Sequence, residues 1–156
     1  MRLGRKRDRT IEEALTELGR LLNGTNYVVS LRVYRLPFSP DASAEHYIAQ
    51  ALGPAAVSGG SSRATEQEVL TEVEESLRHE GDNGYGPPPS ALQSQKYEEL
   101  VSLVLSHLHQ GLRAAALIER FWLKEGHPEF YPVYWDFAFV IAGPTAAEVF
   151  VGSSSD

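Results

Sequence analysis

The longest regular pattern of apolar and polar positions covers residues 94–126. Placed at about 100° per residue, its apolar side chains fill one broad arc of a helix. The middle of that arc holds Tyr97, Val101, Val104, Leu108, Leu112, Ala115, Ile118 and Trp122. Charged and polar residues interrupt the stretch too often for a membrane span. The pattern predicts one long helix, on the order of 45 Å, that other elements cover along most of its surface.

Three shorter stretches also have helical periodicity. Residues 10–23 and 65–80 each begin with a threonine followed at the capping-box spacing by a glutamate. Between them, Ser39-Pro40-Asp41 provides the start of a third helix and Gly53-Pro54 its end. The apolar stripes of these helices are narrow, so one side of each should pack and the other should face solvent.

Strand patterns occur near both ends of the chain. Residues 26–36 alternate, and residues 130–142 alternate more regularly. The wholly apolar face of the second stretch consists of Val133, Trp135, Phe137, Phe139 and Ile141. Gly143-Pro144-Thr145 then provides a turn before a short strand at 148–151. These features predict a C-terminal antiparallel hairpin that pairs with the first strand.

Two stretches lack either periodicity. Residues 55–64 contain Ser58-Gly59-Gly60-Ser61-Ser62, a composition typical of a flexible linker. Residues 81–93 contain three consecutive prolines after several glycines, which favours turns and extended backbone. A break of this length inside a compact domain is typically either mobile or a binding element.

The resulting order, α-β-α-α-α-β-β, favours the α+β class. We expect about four helices, with one long central helix packed on a small, three-stranded, mainly antiparallel sheet that ends in the C-terminal β-hairpin. The 156 residues are enough for one domain with a sizeable core. We assign residues 1–9 to a basic N-terminal tail, 10–152 to a single α+β domain and 153–156 to a polar C-terminal tail.

Composition narrows the function. The chain has no cysteine, which excludes disulfides, thiolate metal sites and cysteine nucleophiles. Its net charge of -7 is uneven, because residues 1–9 are basic and the remainder is strongly acidic. An acidic body repels nucleic acid and anionic lipid and favours a basic protein partner. Without a secretory pattern or a membrane-length apolar run, we expect a cytoplasmic protein with no membrane association.

Two surfaces are candidates for partner binding. The helix predicted over residues 65–80 places glutamates, including Glu68, Glu72 and Glu75, on one face, which is either simply solvated or a docking surface. Tyr85 lies in the glycine-proline break beside it. If the strands are neighbours, side chains of the first strand and of the hairpin form a second, polar-aromatic patch. Its members are Arg32, Tyr34, Tyr134 and Asp136.

The sequence contains few residues in arrangements suited to catalysis. Glu119 falls inside the apolar arc of the long helix and needs a partner there, because burial of an unpaired carboxylate is unfavourable. An enzyme would use Glu119, Asp136 and His127 in a cleft between the long helix and the hairpin. His107 and His109 point about 160° apart on a helix, so they form no metal pair, and His107 is best explained as a satisfied core histidine. We expect neither a metal nor a cofactor.

The leading hypothesis is a protein-binding module that docks its acidic surface on a basic macromolecular partner. One specific form is a bacterial toxin-neutralising, immunity-type protein that covers a basic active site, an idea resting on size and charge alone. The small hydrolase-like enzyme described above is the alternative. Self-association into a homodimer through a sheet edge or the long helix stays open.

Overall fold

A computed structural model describes residues 10–125 and 132–156 of the chain. The α+β class is confirmed. The helices are α1 (Ile11–Leu22), α2 (Ala44–Leu52), α3 (Glu66–Leu77), the short α4 (Pro89–Leu92) and α5 (Gln95–Ala114). The strands are β1 (Val28–Pro37), β2 (Ser58–Arg63), β3 (Leu117–Leu123), β4 (Trp135–Ala142) and β5 (Ala146–Ser155). No helix in these two ranges is long and apolar enough to cross a membrane.

Local capping chemistry begins the helices as expected. The Thr10 hydroxyl accepts from the backbone N–H of Glu13 at 3.2 Å and starts α1. At α3 the capping box is complete, because Thr65 also donates its backbone N–H to the Glu68 carboxylate at 3.3 Å. Only α2 begins later than predicted, after Ser43 as its N-cap.

The prediction of one long helix over residues 94–126 was wrong. Helix α5 begins after Ser94 as expected but ends at Ala114, and residues 117–123 form strand β3. Ala115 leaves the helix with φ -67° and ψ 139°, which is extended backbone. Both sides of β3 carry mainly apolar side chains, with one charged residue on each, so the alternation of a strand was hidden in a pattern that also fits a helix.

The prediction of a three-stranded sheet was also wrong. The described residues form a five-stranded sheet in the order β1-β5-β4-β3-β2, with every neighbouring pair antiparallel. The two additional strands are β3, which had been assigned to the helix, and β2, which had been assigned to a linker. Strand β2 contains little but serine and glycine and forms an edge of the sheet by pairing with β3. Its pairing depends on a partner about sixty residues away, which local composition does not reveal.

The predicted hairpin is confirmed, and so is its pairing with the first strand. Strands β4 and β5 pair from Trp135 with Ser154 to Ala142 with Ala147. Strand β1 pairs with β5 over its whole length. Strand β5 extends to Ser155, and Ser153 and Ser154 are buried, so these residues belong to the sheet and not to a polar tail. The basic segment 1–9 lies outside the described residues.

Helices cover the sheet on both faces. Helices α1, α3 and α5 pack on one face through a core that includes Phe139 and Phe150, both fully buried. Helix α2 packs on the other face, where Tyr47 and Ile48 contact Val140 and Val149 in a smaller core. Helix α5 lies between α1 and α3, so α3 is the outer helix on the side of the sheet toward β3.

Candidate functional site

A cleft opens where β3 and β4 separate. The two strands pair from Leu117 with Ala142 to Arg120 with Phe139. Beyond Arg120, the end of β3 pairs with β2, whereas the beginning of β4 pairs with β5. Helix α3 forms one wall of the resulting cleft, which has a volume of about 520 Å³. It is lined by Glu72, Glu75, Ser76, His79, Arg120, Phe121, Trp122, Trp135, Asp136, Phe137 and Ala138.

The α3 wall is acidic, and part of its charge is balanced inside the protein. Glu68, Glu72 and Glu75 follow one another at the spacing that places side chains on one face of a helix. Arg120 of β3 reaches across to the Glu72 carboxylate and, at 3.5 Å, to Glu68. Hydrogen bonds from Thr65, with the charge of Arg120, hold the pKa of Glu68 below its usual range. Arg120 thus ties α3 to β3 and closes one end of the cleft.

Trp122 is the large exposed aromatic residue of the cleft, with 49% of its surface accessible. Its indole lies against the backbone of Gly59 and Gly60 on the neighbouring strand β2. A Cβ atom at either glycine would come within 2.6 Å of the indole ring. The two glycines therefore let the ring rest on bare backbone, which holds Trp122 in place while leaving much of it exposed.

Glu75 and Asp136 are the cleft carboxylates that form no ion pair with any cation in the described part of the chain. The surrounding protein displaces water from Asp136, and this desolvation raises its pKa above the usual range for aspartate. Asp136 alternates with Phe137 on β4, so its side chain is directed to the α2 face of the sheet. Glu75 and Trp122 lie on the α3 side, which is therefore both aromatic and acidic.

Behind the cleft lies an aromatic cluster of Tyr27, His79, Tyr85 and Tyr134. The rings of Tyr85 and Tyr134 are parallel, with centroids 4.2 Å apart, and His79 stacks 6.0 Å from both Tyr27 and Tyr85. Trp135 donates its indole N–H to the Tyr27 hydroxyl at 2.6 Å, and burial raises the pKa of Tyr27. The cluster fixes the back of the cleft to the loop containing Tyr85.

His79 contributes an unusual feature to this cluster. Its Nε2 atom is buried and has no hydrogen-bond partner among the described residues. Buried polar atoms ordinarily have a hydrogen-bond partner, so this nitrogen is an exception at the cleft wall.

Of the predicted partner-binding residues, the fold brings Glu72, Glu75 and Asp136 together in one cleft. Glu68 lies next to them through Arg120. The other four are placed differently. Tyr85 and Tyr134 belong to the aromatic cluster, because Tyr134 precedes β4 and does not follow its alternation. Arg32 and Tyr34 lie on β1, which β5 separates from β4, so the predicted polar-aromatic patch is not formed as a unit.

The described residues do not assemble the predicted catalytic group. Glu119 lies on β3 opposite Val140, where its carboxylate accepts from the Ser61 hydroxyl at 3.3 Å. Asp136 is about 13 Å from Val140 along β4, which is too far for joint action on one bond. His127 lies outside the described residues. The expected cleft between a long helix and the hairpin is also missing, because α5 ends at Ala114.

Other outcomes concern histidine and metal sites. His107 is indeed satisfied: its Nε2 lies 2.9 Å from both carboxylate oxygens of Glu148 on β5. Sequence reasoning did not identify Glu148, since the pair joins α5 to a strand forty-one residues away. In residues 10–125 and 132–156, no group of three or more histidine, aspartate or glutamate side chains is arranged to hold a metal ion.

Sequence reasoning missed Trp122 and Arg120 as site residues, because both were assigned to the long helix. A signal was present in the aromatic and β-branched residues of 117–123, which favour strands. Comparisons with protein-family models, with curated proteins and with solved structures find no match to this chain.

Proposed function

We propose that this protein is a binding module that docks a basic segment of a partner protein in the cleft between α3 and the separated ends of β3 and β4. The observation that carries the proposal is the combination of exposed Trp122 with the carboxylate of Glu75, which no described cation balances, in a cleft that Asp136 also lines. Exposed tryptophan is a typical interface anchor, and unbalanced acids favour a cationic partner.

The charge of the whole chain supports the same choice of partner. A net charge of -7 attracts basic proteins over a distance of about 8–10 Å at physiological salt. It also opposes docking of nucleic acid, whose phosphates carry the same sign. The acidic face of α3 continues from the cleft and provides the rim along which a basic segment would lie.

The chain itself contains a small example of the proposed interaction. Arg120 occupies one end of the acidic wall and binds Glu68 and Glu72. A partner's cation would occupy the next position along α3, beside Glu75. This reasoning selects a basic protein segment as the occupant of the cleft.

The test is fluorescence anisotropy with a labelled arginine-rich peptide, compared with the same peptide carrying uncharged citrulline in place of arginine. The cleft variant is Glu75→Gln with Asp136→Asn. A matched control, Glu12→Gln with Glu13→Gln, removes the same charge from α1, on the far side of α5. We expect the cleft variant to lose affinity for the arginine peptide about tenfold or more, whereas the control retains it.

Equal binding by the cleft variant and the control would mean that the peptide senses only net charge, and the proposed docking site would be wrong. For the natural partner, affinity capture should use all three proteins as bait. The partner of interest is a basic protein retained by the wild type and the α1 control and lost from the cleft variant. The toxin-neutralising form of the hypothesis predicts, in addition, that this partner is a toxin whose activity the wild-type protein inhibits.

A further inference from the structure

We infer that the cleft is a pocket for a single arginine side chain of the partner, with the guanidinium stacked on Trp122 and held by Glu75. This inference rests on the proposed function and names the chemical group that the site recognises. It is carried by the support of the indole ring, by the position of Glu75 and by the shape of the cation.

The indole of Trp122 is supported on one side only. Gly59 and Gly60 approach it so closely that a Cβ atom at either position would lie 2.6 Å from the ring and force it to move. The remainder of the ring accounts for the 49% exposure of Trp122. A tryptophan held flat in this way presents its π-system to a ligand, and tryptophan is the aromatic side chain that attracts cations most strongly.

Glu75 is the carboxylate aligned with this ring. Arg120 contacts Glu72, which fixes the alignment of β3 against α3. Trp122 lies two residues further along the same side of β3, at about 7 Å. Glu75 lies one turn further along α3, at roughly 5 Å. Asp136 also lines the cleft, but it alternates with Phe137 on β4 and is directed to the α2 face of the sheet. A cation stacked on Trp122 would therefore have Glu75 beside it.

Arginine fits this arrangement better than lysine. A guanidinium is planar, so it can stack on an indole while its edge donates hydrogen bonds to carboxylates. A lysine ammonium is more strongly hydrated and offers no flat face. Arg120 uses its own guanidinium in this manner, bridging two glutamates while its carbon Cζ lies 5.9 Å from the centre of the Phe139 ring.

A second copy of this chain is a poorer occupant than a basic protein. Two molecules that each carry a net charge of -7 repel one another. The acids at the cleft would add to that repulsion at the point of contact. Charge complementarity therefore selects a foreign basic segment.

The probe for the test is N-acetyl-arginine amide, with the lysine and citrulline analogues as comparisons. The chain has two tryptophans, so its indole N–H region contains two signals in a proton–nitrogen correlation spectrum. The Trp135 indole N–H is bonded to Tyr27, and because Trp135 also lines the cleft, its signal is followed alongside that of Trp122. Titration with the arginine compound should shift the Trp122 signal with saturation, and citrulline should leave it unchanged.

Three variants sharpen the result. Glu75→Gln should weaken the arginine compound by about tenfold. Asp136→Asn, on the opposite face of the sheet, and the paired Glu12→Gln and Glu13→Gln control should leave it nearly unchanged. Trp122→Leu, followed through backbone signals of β3, should weaken it by about two- to fivefold. A lysine compound that binds as tightly as arginine, or a Trp122 signal that stays fixed throughout, would overturn the inference.

The same data separate this inference from the proposed function. If the arginine-rich peptide distinguishes the cleft variant from the α1 control while the single amino acid leaves Trp122 unchanged, the arginine pocket is wrong and the docking surface stands. If the peptide does not distinguish the two variants, the proposed docking surface is wrong, and the inference of an arginine pocket is then wrong as well.

Discussion

The glutamates of helix α3 lie on two flanks of the helix, and the flanks differ in how many of these glutamates are paired with a cation of the protein. On the flank toward α5, Arg78 lies between Glu74 and Glu98, with hydrogen bonds of 2.9 and 3.0 Å, and the charges are balanced within the protein. On the flank toward β3, Arg120 balances Glu68 and Glu72, but Glu75 forms no ion pair with any described residue. The same residue type is thus paired within the protein on one flank and left without an internal cation, among the described residues, at Glu75 on the other.

What differs is the availability of a facing element. Helix α5 packs closely against α3 and supplies both Glu98 and Tyr97, whose hydroxyl donates to the Leu77 carbonyl at 2.9 Å. On the other flank, β3 turns away from β4 beyond Arg120 and leaves a cleft. The comparison shows that an acidic helix face becomes a candidate site only where the fold leaves it without internal cations.

The largest effect should come from breaking the packed flank. Leu77 is 1% exposed at the contact of α3 with α5. Leu77→Ala removes buried methyl groups and leaves a cavity, so the free energy of unfolding should fall by about 2–5 kcal/mol. Denaturant unfolding measures this, with Val57→Ala at an exposed position as the control. A loss below that of the control would show that the α5 flank is not tightly packed.

The next effect concerns the support of Trp122 on the open flank. Gly59→Ala places a Cβ atom 2.6 Å from the indole, and overpacking of this kind lowers the free energy of unfolding by about 1–3 kcal/mol. Gly111→Ala on α5 is the control, because its Cβ would meet neighbours only at 3.9 Å.

A double-mutant cycle then tests the cause of that loss. In the Trp122→Ala background, Gly59→Ala should be better tolerated, since the ring that it strikes has been removed. The same loss in both backgrounds would place the strain at the Lys124 backbone, 3.3 Å from the added atom. Trp122 would then be held by something other than these glycines.

Asp136→Asn tests the electrostatic side of the comparison. Desolvation raises the pKa of Asp136 in the folded protein, so the folded state binds this proton more tightly than the unfolded chain. Folding is therefore favoured below the raised pKa, and this contribution is lost as the pH rises through the window from the ordinary aspartate value to the raised value.

The variant should accordingly be more stable than the wild type near neutral pH. Partial solvent exposure keeps the difference small, about 0.5 kcal/mol, and it should vanish in acid, where Asp136 is protonated in both states. Parallel denaturant titrations across the acid range measure the difference. Equal free energies of unfolding of the wild type and the variant at every pH would show that Asp136 is well solvated.

The sequence predicted the parts of this comparison that are local. The threonine-glutamate spacings located the starts of α1 and α3, and the spacing of Glu68, Glu72 and Glu75 placed them on one side of α3. The alternation and turn chemistry of the C-terminal region predicted the β4–β5 hairpin. Each of these depends on residues close in the chain.

The parts that were missed depend on distant contacts. Strand β2 forms because serine and glycine residues pair with β3, and Trp122 is exposed because Gly59 and Gly60 lie beneath it. The end of α5 lacks the glycine or proline that usually marks a helix terminus. The cleft is absent from any local pattern, because it is a space between elements whose register only the fold defines.

The smallest effect should follow from Arg78→Gln, which removes the cation that pairs with Glu74 and Glu98 on the flank toward α5. The ion pairs with Glu74 and Glu98 are partly exposed, so stability should change little, and less still at high salt. The Glu98 pKa, which Arg78 now holds below its usual range, should rise, as carboxyl chemical shifts would record. Since a lowered pKa contributes stability that is present near neutral pH and lost as the pH falls, the small difference between wild type and Arg78→Gln should disappear in acid.

The binding result of this variant decides what the open flank contributes. Arg78→Gln frees two acids on the flank toward α5, where no exposed tryptophan accompanies them among the described residues. The arginine-rich peptide should gain only a weak, salt-sensitive increase in affinity there, whereas N-acetyl-arginine amide should gain none. If the opened flank instead binds the amino acid as tightly as the cleft does, free carboxylates suffice, and the stacking role assigned to Trp122 is wrong.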